Sequence, residues 1–127
     1  MNPETPLWRQ IHPSFVEGGH PGSQAFRPTP KDKGLLSFDD GNRIAAELAW
    51  HRYIVERGRQ SLGVLGVLVG ECNGEGLGVI SDGVPDPEHV SIDFTGKSNG
   101  ERKAIAKRLR DHAMGRGWQF GPVELSA

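Results

Sequence analysis

Glycine and proline interrupt this chain so often that long regular elements are excluded over most of its length. Eighteen glycines and nine prolines occur in 127 residues, and both residue types end helices and strands or mark the turns between them. Two segments, 42–57 and 99–114, are nearly free of both. The sequence therefore predicts short strands and many turns around two helices.

Several short segments between the glycines and prolines predict strands. Apolar and polar residues alternate in HVSIDF at 89–94, which indicates a strand with one covered face. LWRQIH at 7–12 also predicts a short strand, with Leu7, Arg9 and Ile11 on one face, which ends at Pro13. Further strands are predicted at 24–27, 35–38, 61–72, 76–83 and 118–120. The glycine-rich segment 14–23 is predicted to be a loop. We expect an α+β fold: a small mixed or mainly antiparallel sheet of about five to seven short strands, with two packed helices.

Each predicted helix has an apolar stripe at helical spacing. The stripe of the second helix is formed by Ile105, Leu109 and Ala113, and that of the first helix by Ile44, Leu48, His51 and Val55. Trp50 and Tyr53 lie off the stripe of the first helix. Because aromatic residues often anchor protein interfaces, these two are candidates for a partner-binding surface.

The composition predicts one domain, 1–127, with flexible ends at 1–6 and 121–127. The single cysteine, Cys72, excludes an intramolecular disulfide and a zinc site built on paired thiolates. The N-terminal residues do not have the pattern of a secretory signal, and no apolar run reaches the roughly 20 residues that span a bilayer. We expect a cytoplasmic protein without a cofactor or a metal.

Charge is unevenly distributed along the second half of the chain. Residues 71–93 carry six acidic residues and no lysine or arginine, whereas 97–116 carry seven basic residues against two acidic ones. The two segments either neutralise each other or form binding surfaces. In the second case Lys103, Lys107 and Arg110, on one face of the second helix, are the candidates for contact with nucleic-acid phosphates.

Four residues are candidates for catalysis: His12, Arg27, Ser37 and His89. His12 and His89 lie at the ends of predicted strands, and a histidine can donate or accept a proton near neutral pH. Arg27 and Ser37, on neighbouring predicted strands, could bind a phosphate and orient a ribose. We expect these side chains to converge if the protein has an active site.

Three classes of function are consistent with the sequence, and we expect the first of them, with the other two as alternatives. The first is a protein-binding module, because no complete catalytic set is visible and Trp50 and Tyr53 lie off the helix stripe. The second is a small nucleotide- or NAD-using transferase or hydrolase with the four catalytic candidates. The third is a nucleic-acid-binding protein that uses the basic segment 97–116.

Overall fold

The computed structural model describes residues 1–124. Within this range there are seven strands: β1 Pro6–Gln10, β2 Val16–Glu17, β3 His20–Pro21, β4 Leu35–Asp40, β5 Val64–Leu68, β6 Gly78–Ile80 and β7 His89–Asp93. The helices are α1 Ala46–His51, α2 Val69–Gly74 and α3 Asn99–Arg116, and α1 continues as a π-helical turn over Arg52–Glu56. Three 3-10 turns, Pro13–Phe15, Ser23–Phe26 and Pro30–Asp32, lie between β1 and β4.

Five strands form one sheet in the order β5-β1-β4-β7-β6, and all neighbours in it are antiparallel. The strands β2 and β3 form a separate two-stranded ribbon. The predicted fold class, α+β with a mainly antiparallel sheet, is confirmed.

The two faces of the sheet differ in what covers them. In β4, Leu36 and Phe38 are buried with Leu109 of α3, while Asp39 points to the opposite face and contacts Arg52 after α1. The core therefore lies between the sheet and α3. Its fully buried side chains include Leu7, Ile11, Phe26, Leu65, Val67, Val90, Ile92, Phe94, Ala106, Leu109 and Ala113.

The prediction for α3 agrees with the structure, because Ile105, Leu109 and Ala113 are buried. Ser98 caps this helix, accepting a hydrogen bond from the Glu101 amide at 3.2 Å.

The stripe predicted for the first helix is wrong. Leu48 is 62% exposed and Val55 is 66% exposed, and the residues of α1 that are buried are Ala46 and Ala49. The reason is that Trp50, at the side of the helix, packs against other elements, so that the helix turns its small residues inward.

Three predicted strands differ from the structure. The segment 24–27 is part of the Ser23–Phe26 turn, because Ala25 and Phe26 are consecutive and both fully buried, whereas a strand would put them on opposite faces. The strand predicted at 61–72 ends at Leu68, because α2 begins at the next residue. The Glu71 carboxylate accepts a hydrogen bond from the Leu68 amide at 2.8 Å. The segment 118–120 contributes a single bridge, Val64–Phe120, and the predicted loop 14–23 contains β2 and β3.

Acidic and basic segments neutralise each other between α2 and α3. Arg108 donates two hydrogen bonds to Glu75, at 2.8 and 2.7 Å, and Arg116 donates to Glu71 at 2.9 Å. Burial raises the pKa of Glu71, but hydrogen bonds from Arg116 and the Leu68 amide outweigh it and the net pKa is lowered. The neutralising interpretation of the charge pattern therefore holds for this pair of helices.

The terminal segments make backbone hydrogen bonds with α2 and with the segment before β5. The carbonyl of Pro3 accepts from the Gly70 amide at 2.8 Å, and the Val123 amide donates to Leu62 at 2.7 Å. Residues 125–127 lie outside the described residues, and flexibility of 1–6 and 121–127 stays a prediction. None of the helices within 1–124 is long and apolar enough to cross a bilayer.

Candidate active site

The neighbouring strands β1 and β4 separate partway along their length. They pair through Leu7 and Trp8 of β1, whereas β1 pairs with β5 along its whole length. Beyond Trp8 a side chain replaces the backbone ladder, because Nη1 of Arg9 donates to the carbonyl oxygen of Ser37 at 3.0 Å. The sheet is therefore split between the end of β1 and the start of β4.

A cavity of about 630 Å³ opens at this split. Its wall includes the consecutive β4 residues 35–39, from both faces of the strand, as expected for a space between separated strands. The other walls come from the turns Pro13–Phe15 and Pro30–Asp32, from α1 with its π turn, and from residues 85–86. Small-molecule sites usually have roughly 300–1,000 Å³, so this space, the split cavity, is large enough for an organic ligand.

Three of the four catalytic candidates line the split cavity: His12, Ser37 and His89. Arg27 does not line it. This arginine follows the Ser23–Phe26 turn, whose apolar residues pack in the core with α3. The expected convergence of Arg27 with the two histidines is therefore not found.

Arg9 is one of four arginines that line the split cavity, with Arg52, Arg57 and Arg59. Its Nε donates to the Ala25 carbonyl at 2.8 Å, and its guanidinium carbon lies 5.9 Å from the centre of the Phe38 ring. Burial lowers the pKa of the Arg9 guanidinium, although Tyr53 and Asp32 act in the opposite direction. An arginine nevertheless keeps its charge in proteins.

The sequence contained a signal for Arg9 that our reasoning missed. In the alternating segment 7–12, Arg9 shares a strand face with Leu7 and Ile11, both fully buried. A charged residue on the apolar face of a strand must find buried partners or a ligand. That position therefore distinguished Arg9 from the other arginines of the chain.

His89 is held by a carboxylate. Its Nδ1 lies 2.6 Å from Oδ1 of Asp82, whose Oδ2 accepts a hydrogen bond from the Ser91 hydroxyl at 2.6 Å. Burial raises the pKa of Asp82, but the hydrogen bonds from Ser91 and His89 outweigh it, so the net pKa is lowered. An ionised Asp82 makes Nδ1 of His89 the donor, which leaves Nε2 as the basic nitrogen available to a ligand.

His12 has the opposite hydrogen-bonding pattern. Its Nδ1 accepts a hydrogen bond from the Ser14 amide at 3.0 Å and lies 2.8 Å from the Ser14 hydroxyl. A nitrogen that accepts from an amide carries no proton, so in the neutral ring the proton is on Nε2. The split cavity is thus lined by one histidine with a basic Nε2, His89, and one with an Nε2–H donor, His12.

The charges around the split cavity favour an anion. Arg9, Lys31 and Arg59 line it, and none of them forms an ion pair with a carboxylate within residues 1–124. The carboxylate of Asp32 is engaged in capping the turn Pro30–Asp32, where it accepts from the amide and the hydroxyl of Thr29 at 2.7 Å. Three cations without a paired carboxylate therefore face this space.

A more balanced cluster closes the side of the split cavity next to α1. Arg52 contacts Asp39 at 3.1 Å, Asp86 at 3.3 Å and Glu88 at 3.0 Å, and Arg57 also pairs with Asp86. Burial raises the pKa of Asp39, even though Arg52 lowers it. The cluster ties the π turn to the segment before β7, and so it fixes two walls of the cavity.

Polar atoms without a protein partner also lie at the split. Gln10, the last residue of β1, lines the split cavity. Its Nε2 and Oε1 are both buried, and neither has a hydrogen-bond partner among residues 1–124. A buried amide without partners is energetically costly, which makes Gln10 a candidate for contact with a ligand.

The two partner-binding candidates lie in different surroundings. Trp50 donates from Nε1 to the Ser61 carbonyl at 3.0 Å, and its ring lies 5.0 Å from that of Phe120. Tyr53 lines the split cavity. Both therefore make contacts inside the fold beyond the predicted stripe, and a role in binding another protein stays a prediction.

The nucleic-acid-binding candidates lie on α3, away from the split cavity. Lys103 and Lys107 are exposed, whereas Arg110 is partly buried and donates to Asp111 at 3.0 Å. Their role in binding phosphates stays a prediction.

Metal and thiol chemistry find little support in the described part of the chain. Residues 1–124 contain no group of three or more His, Cys, Asp or Glu side chains that could hold a metal ion. Cys72 is buried, and this burial, with Glu71 and Glu75 nearby, raises the pKa of its thiol to about 12. Such a thiol is a poor nucleophile at neutral pH.

No protein-family model matches this chain, and neither a curated protein nor a solved structure shows significant similarity to it. The interpretation of the split cavity therefore rests on its own residues.

Proposed function

We propose that this protein is a small enzyme that binds an anionic organic substrate, of the phosphorylated nucleotide or NAD-like class, in the split cavity. The observation that carries the proposal is the pair of histidines with opposite roles in one cavity: Nδ1 of His89 bonds Asp82, and Nδ1 of His12 accepts from Ser14. The two neutral rings are held as different tautomers, which gives the cavity one basic nitrogen and one N–H donor.

His89 acts as the general base in this proposal. Its Nε2 takes the proton of a water or a substrate hydroxyl as that oxygen attacks, and the carboxylate of Asp82 stabilises the imidazolium that forms. His12, as the neutral ring, stabilises the negative charge on the leaving oxygen with a hydrogen bond from Nε2–H. That oxygen takes its proton from water, and His89 returns the proton it accepted to the solvent. Ser37 of β4, which also lines the cavity, orients a substrate hydroxyl. The reaction is a hydrolysis or a group transfer.

Binding of the anionic group falls to the cations that lack a paired carboxylate. Arg9 is held rigidly by the Ala25 and Ser37 carbonyls, and a preorganised guanidinium loses little entropy on binding a phosphate. Lys31 and Arg59 approach from the turn Pro30–Asp32 and from the segment after the π turn. Their positive charges attract the anionic group to the cavity.

Calorimetric titration with inorganic phosphate, ribose 5-phosphate, AMP and NAD tests the proposal. We expect at least one of the organic phosphates to bind, and we expect the double variant Lys31→Gln/Arg59→Gln to bind it about tenfold more weakly, because two attractive charges are lost. The matched control is Lys103→Gln/Lys107→Gln, which removes the same charge from α3. No binding by any of the four compounds, or equal weakening in both double variants, would contradict the proposal.

A protein-binding module is the second candidate, and one observation favours it. Leu48 and Val55 are large apolar side chains that α1 and its π turn expose to solvent. Self-association through this surface would appear in sedimentation velocity as a mass that rises with concentration. Replacing both residues with lysine should abolish that rise, and a wild-type protein that stays monomeric at all concentrations would remove self-association as the reason for their exposure.

A further inference from the structure

Gln10 lies at the position where the split of the sheet begins, and its amide points to a property of the ligand. The residue is the last one of β1, paired with Val64 of β5 on one side and facing the split on the other. Both polar atoms of its side chain are buried without a partner among residues 1–124. Buried polar side-chain atoms in folded proteins are nearly always hydrogen-bonded.

The fold offers no structural reason for an amide at this position. Val64, the cross-strand neighbour of Gln10, is apolar and fully buried, and an apolar side chain of the same size would avoid the cost of desolvating two polar atoms. The amide is therefore better explained by a group that enters the split cavity. That group must provide an acceptor for Nε2 and a donor for Oε1.

The geometry of a carboxamide restricts the group further. The two atoms of the Gln10 amide are coplanar and adjacent, so they match a planar edge that presents a donor and an acceptor side by side. Nucleobases present such an edge, as in the bidentate contact of glutamine with adenine, and so does an aromatic carboxamide. Three aromatic residues that line the same cavity, Trp8, Phe15 and Tyr53, supply surfaces for a flat ring.

We propose that Gln10 is a specificity-determining residue, which hydrogen-bonds the donor–acceptor edge of a planar nucleobase or carboxamide on the anionic substrate. This inference rests on the proposed function, because it places the planar group and the anion of one substrate in the split cavity. Gln10 and Arg9 are consecutive on β1, so their side chains lie on opposite faces of the strand. Because the lining of the cavity includes both faces of β4, the planar group and the phosphate of one ligand contact the sheet from its two faces at the split.

Three phosphates with a common sugar part provide the test. Ribose 5-phosphate lacks a planar edge, AMP adds a nucleobase, and nicotinamide mononucleotide adds an aromatic carboxamide. Titration calorimetry of the full chain should give a dissociation constant at least about tenfold lower for AMP or for nicotinamide mononucleotide than for ribose 5-phosphate. The compound that gains more identifies which of the two edges Gln10 binds.

The variant Gln10→Met keeps the side-chain length and removes the amide. We expect it to bind all three compounds with the affinity that the wild type has for ribose 5-phosphate. We also expect its thermal midpoint without ligand to equal or exceed that of the wild type, because two unsatisfied buried atoms are removed. The matched control is Gln119→Met, an exposed glutamine that donates to the Gly117 carbonyl, which should leave binding and discrimination unchanged.

The outcomes separate this inference from the proposed function. If neither the three phosphates nor NAD binds, the proposed function fails, and this inference fails with it. If NAD binds and none of the three phosphates does, only this inference fails. If ribose 5-phosphate binds as tightly as the other two and Gln10→Met changes nothing, the inference fails while the proposed function stands. A clear drop in the thermal midpoint of Gln10→Met would also contradict the inference, because it would show that the amide has a structural role.

Discussion

A single guanidinium, that of Arg52, joins three acidic side chains at the edge of the split cavity. Asp39 comes from β4, and Asp86 and Glu88 come from the segment before β7, so the contact links parts of the chain that are far apart in sequence. The Arg52 side chain is only 17% exposed. Removing one partner of such a cluster leaves the others partly buried and without compensation.

Replacing Arg52 with methionine should lower the free energy of unfolding by about 2 kcal/mol at pH 7, less than for a fully buried pair because water still reaches the cluster. The difference in unfolding free energy between the wild type and the variant should become smaller as the pH falls toward 4. In the variant, Asp39 and its neighbours repel each other, and protonation removes that repulsion. Urea denaturation at both pH values measures the difference.

Arg110→Met is the matched control at the residue scale, because Arg110 pairs with the neighbouring Asp111 on the surface of α3. Its effect should stay within about 0.5 kcal/mol at either pH. Equal losses in the two variants would contradict the role given to Arg52.

Single residues were the hardest part to predict from the sequence. His12 and His89 were identified from their positions at strand ends and Ser37 from its predicted strand, and all three line one cavity. Arg27 was chosen because a strand was predicted at 24–27, next to that of Ser37. A wrong local structure thus led to the wrong arginine.

At the scale of elements, α3 and α1 differ in whether an apolar stripe in the sequence predicts the buried face of the helix. In α3 the apolar residues recur on one side and the charges occupy the rest, so the buried face could be predicted. In α1 the large apolar residues are spread around the helix, and Ala46 and Ala49 face inward. The choice depends on the contacts of Trp50 with Ser61 and Phe120, which are remote in sequence.

Leucine-to-alanine substitutions in the two helices test these orientations. Leu109→Ala in α3 should lower the free energy of unfolding by about 3 kcal/mol, because Leu109 is fully buried and its removal leaves a cavity. Leu48→Ala in α1 should change it by less than about 0.5 kcal/mol, because most of Leu48 is already exposed. A large loss for Leu48→Ala in thermal or chemical unfolding would mean that the stripe predicted from the sequence is the buried one.

For the whole molecule, the architecture could be predicted and the split could not. The alternating segment 89–94, the other short strand segments and the two helical segments were enough to indicate an α+β fold with a mixed or mainly antiparallel sheet and packed helices. The separation of β1 from β4 depends on the Arg9 side chain reaching the Ala25 and Ser37 carbonyls. No local pattern reports where two strands stop pairing, so the cavity was not predictable in detail.

The charge distribution also predicts how the whole fold responds to acid. The pKa values of Glu71 and Asp82 are lowered from ordinary values of 4.5 and 3.8. A carboxyl whose pKa is lower in the folded state contributes stability above its unfolded pKa, and this contribution is lost as the pH falls through the folded value. Asp39, whose pKa is raised, acts in the opposite direction.

We therefore expect the free energy of unfolding to decrease as the pH falls below about 4.5, the ordinary pKa of Glu71. Glu71→Gln should make this decrease shallower, because the group that must be protonated is absent. Glu17→Gln, on the exposed part of the β2–β3 ribbon, serves as the control and should leave the pH profile unchanged. Denaturation from pH 7 to pH 3 gives the profiles, and identical profiles for wild type and Glu71→Gln would contradict the account.

The protonation states of His12 and His89 are the most direct test of the proposed acid–base site. Nitrogen-15 NMR of the imidazole rings distinguishes the two neutral tautomers, and no substrate is needed. At alkaline pH we predict Nε2–H for His12, whose Nδ1 accepts from Ser14, and Nδ1–H for His89, whose Nδ1 donates to Asp82. In Asp82→Asn, His89 should lose this preference while His12 keeps its own. The same tautomer on both rings, or no response of His89 to Asp82→Asn, would contradict the claim that the split cavity pairs a basic Nε2 of His89 with an Nε2–H donor of His12.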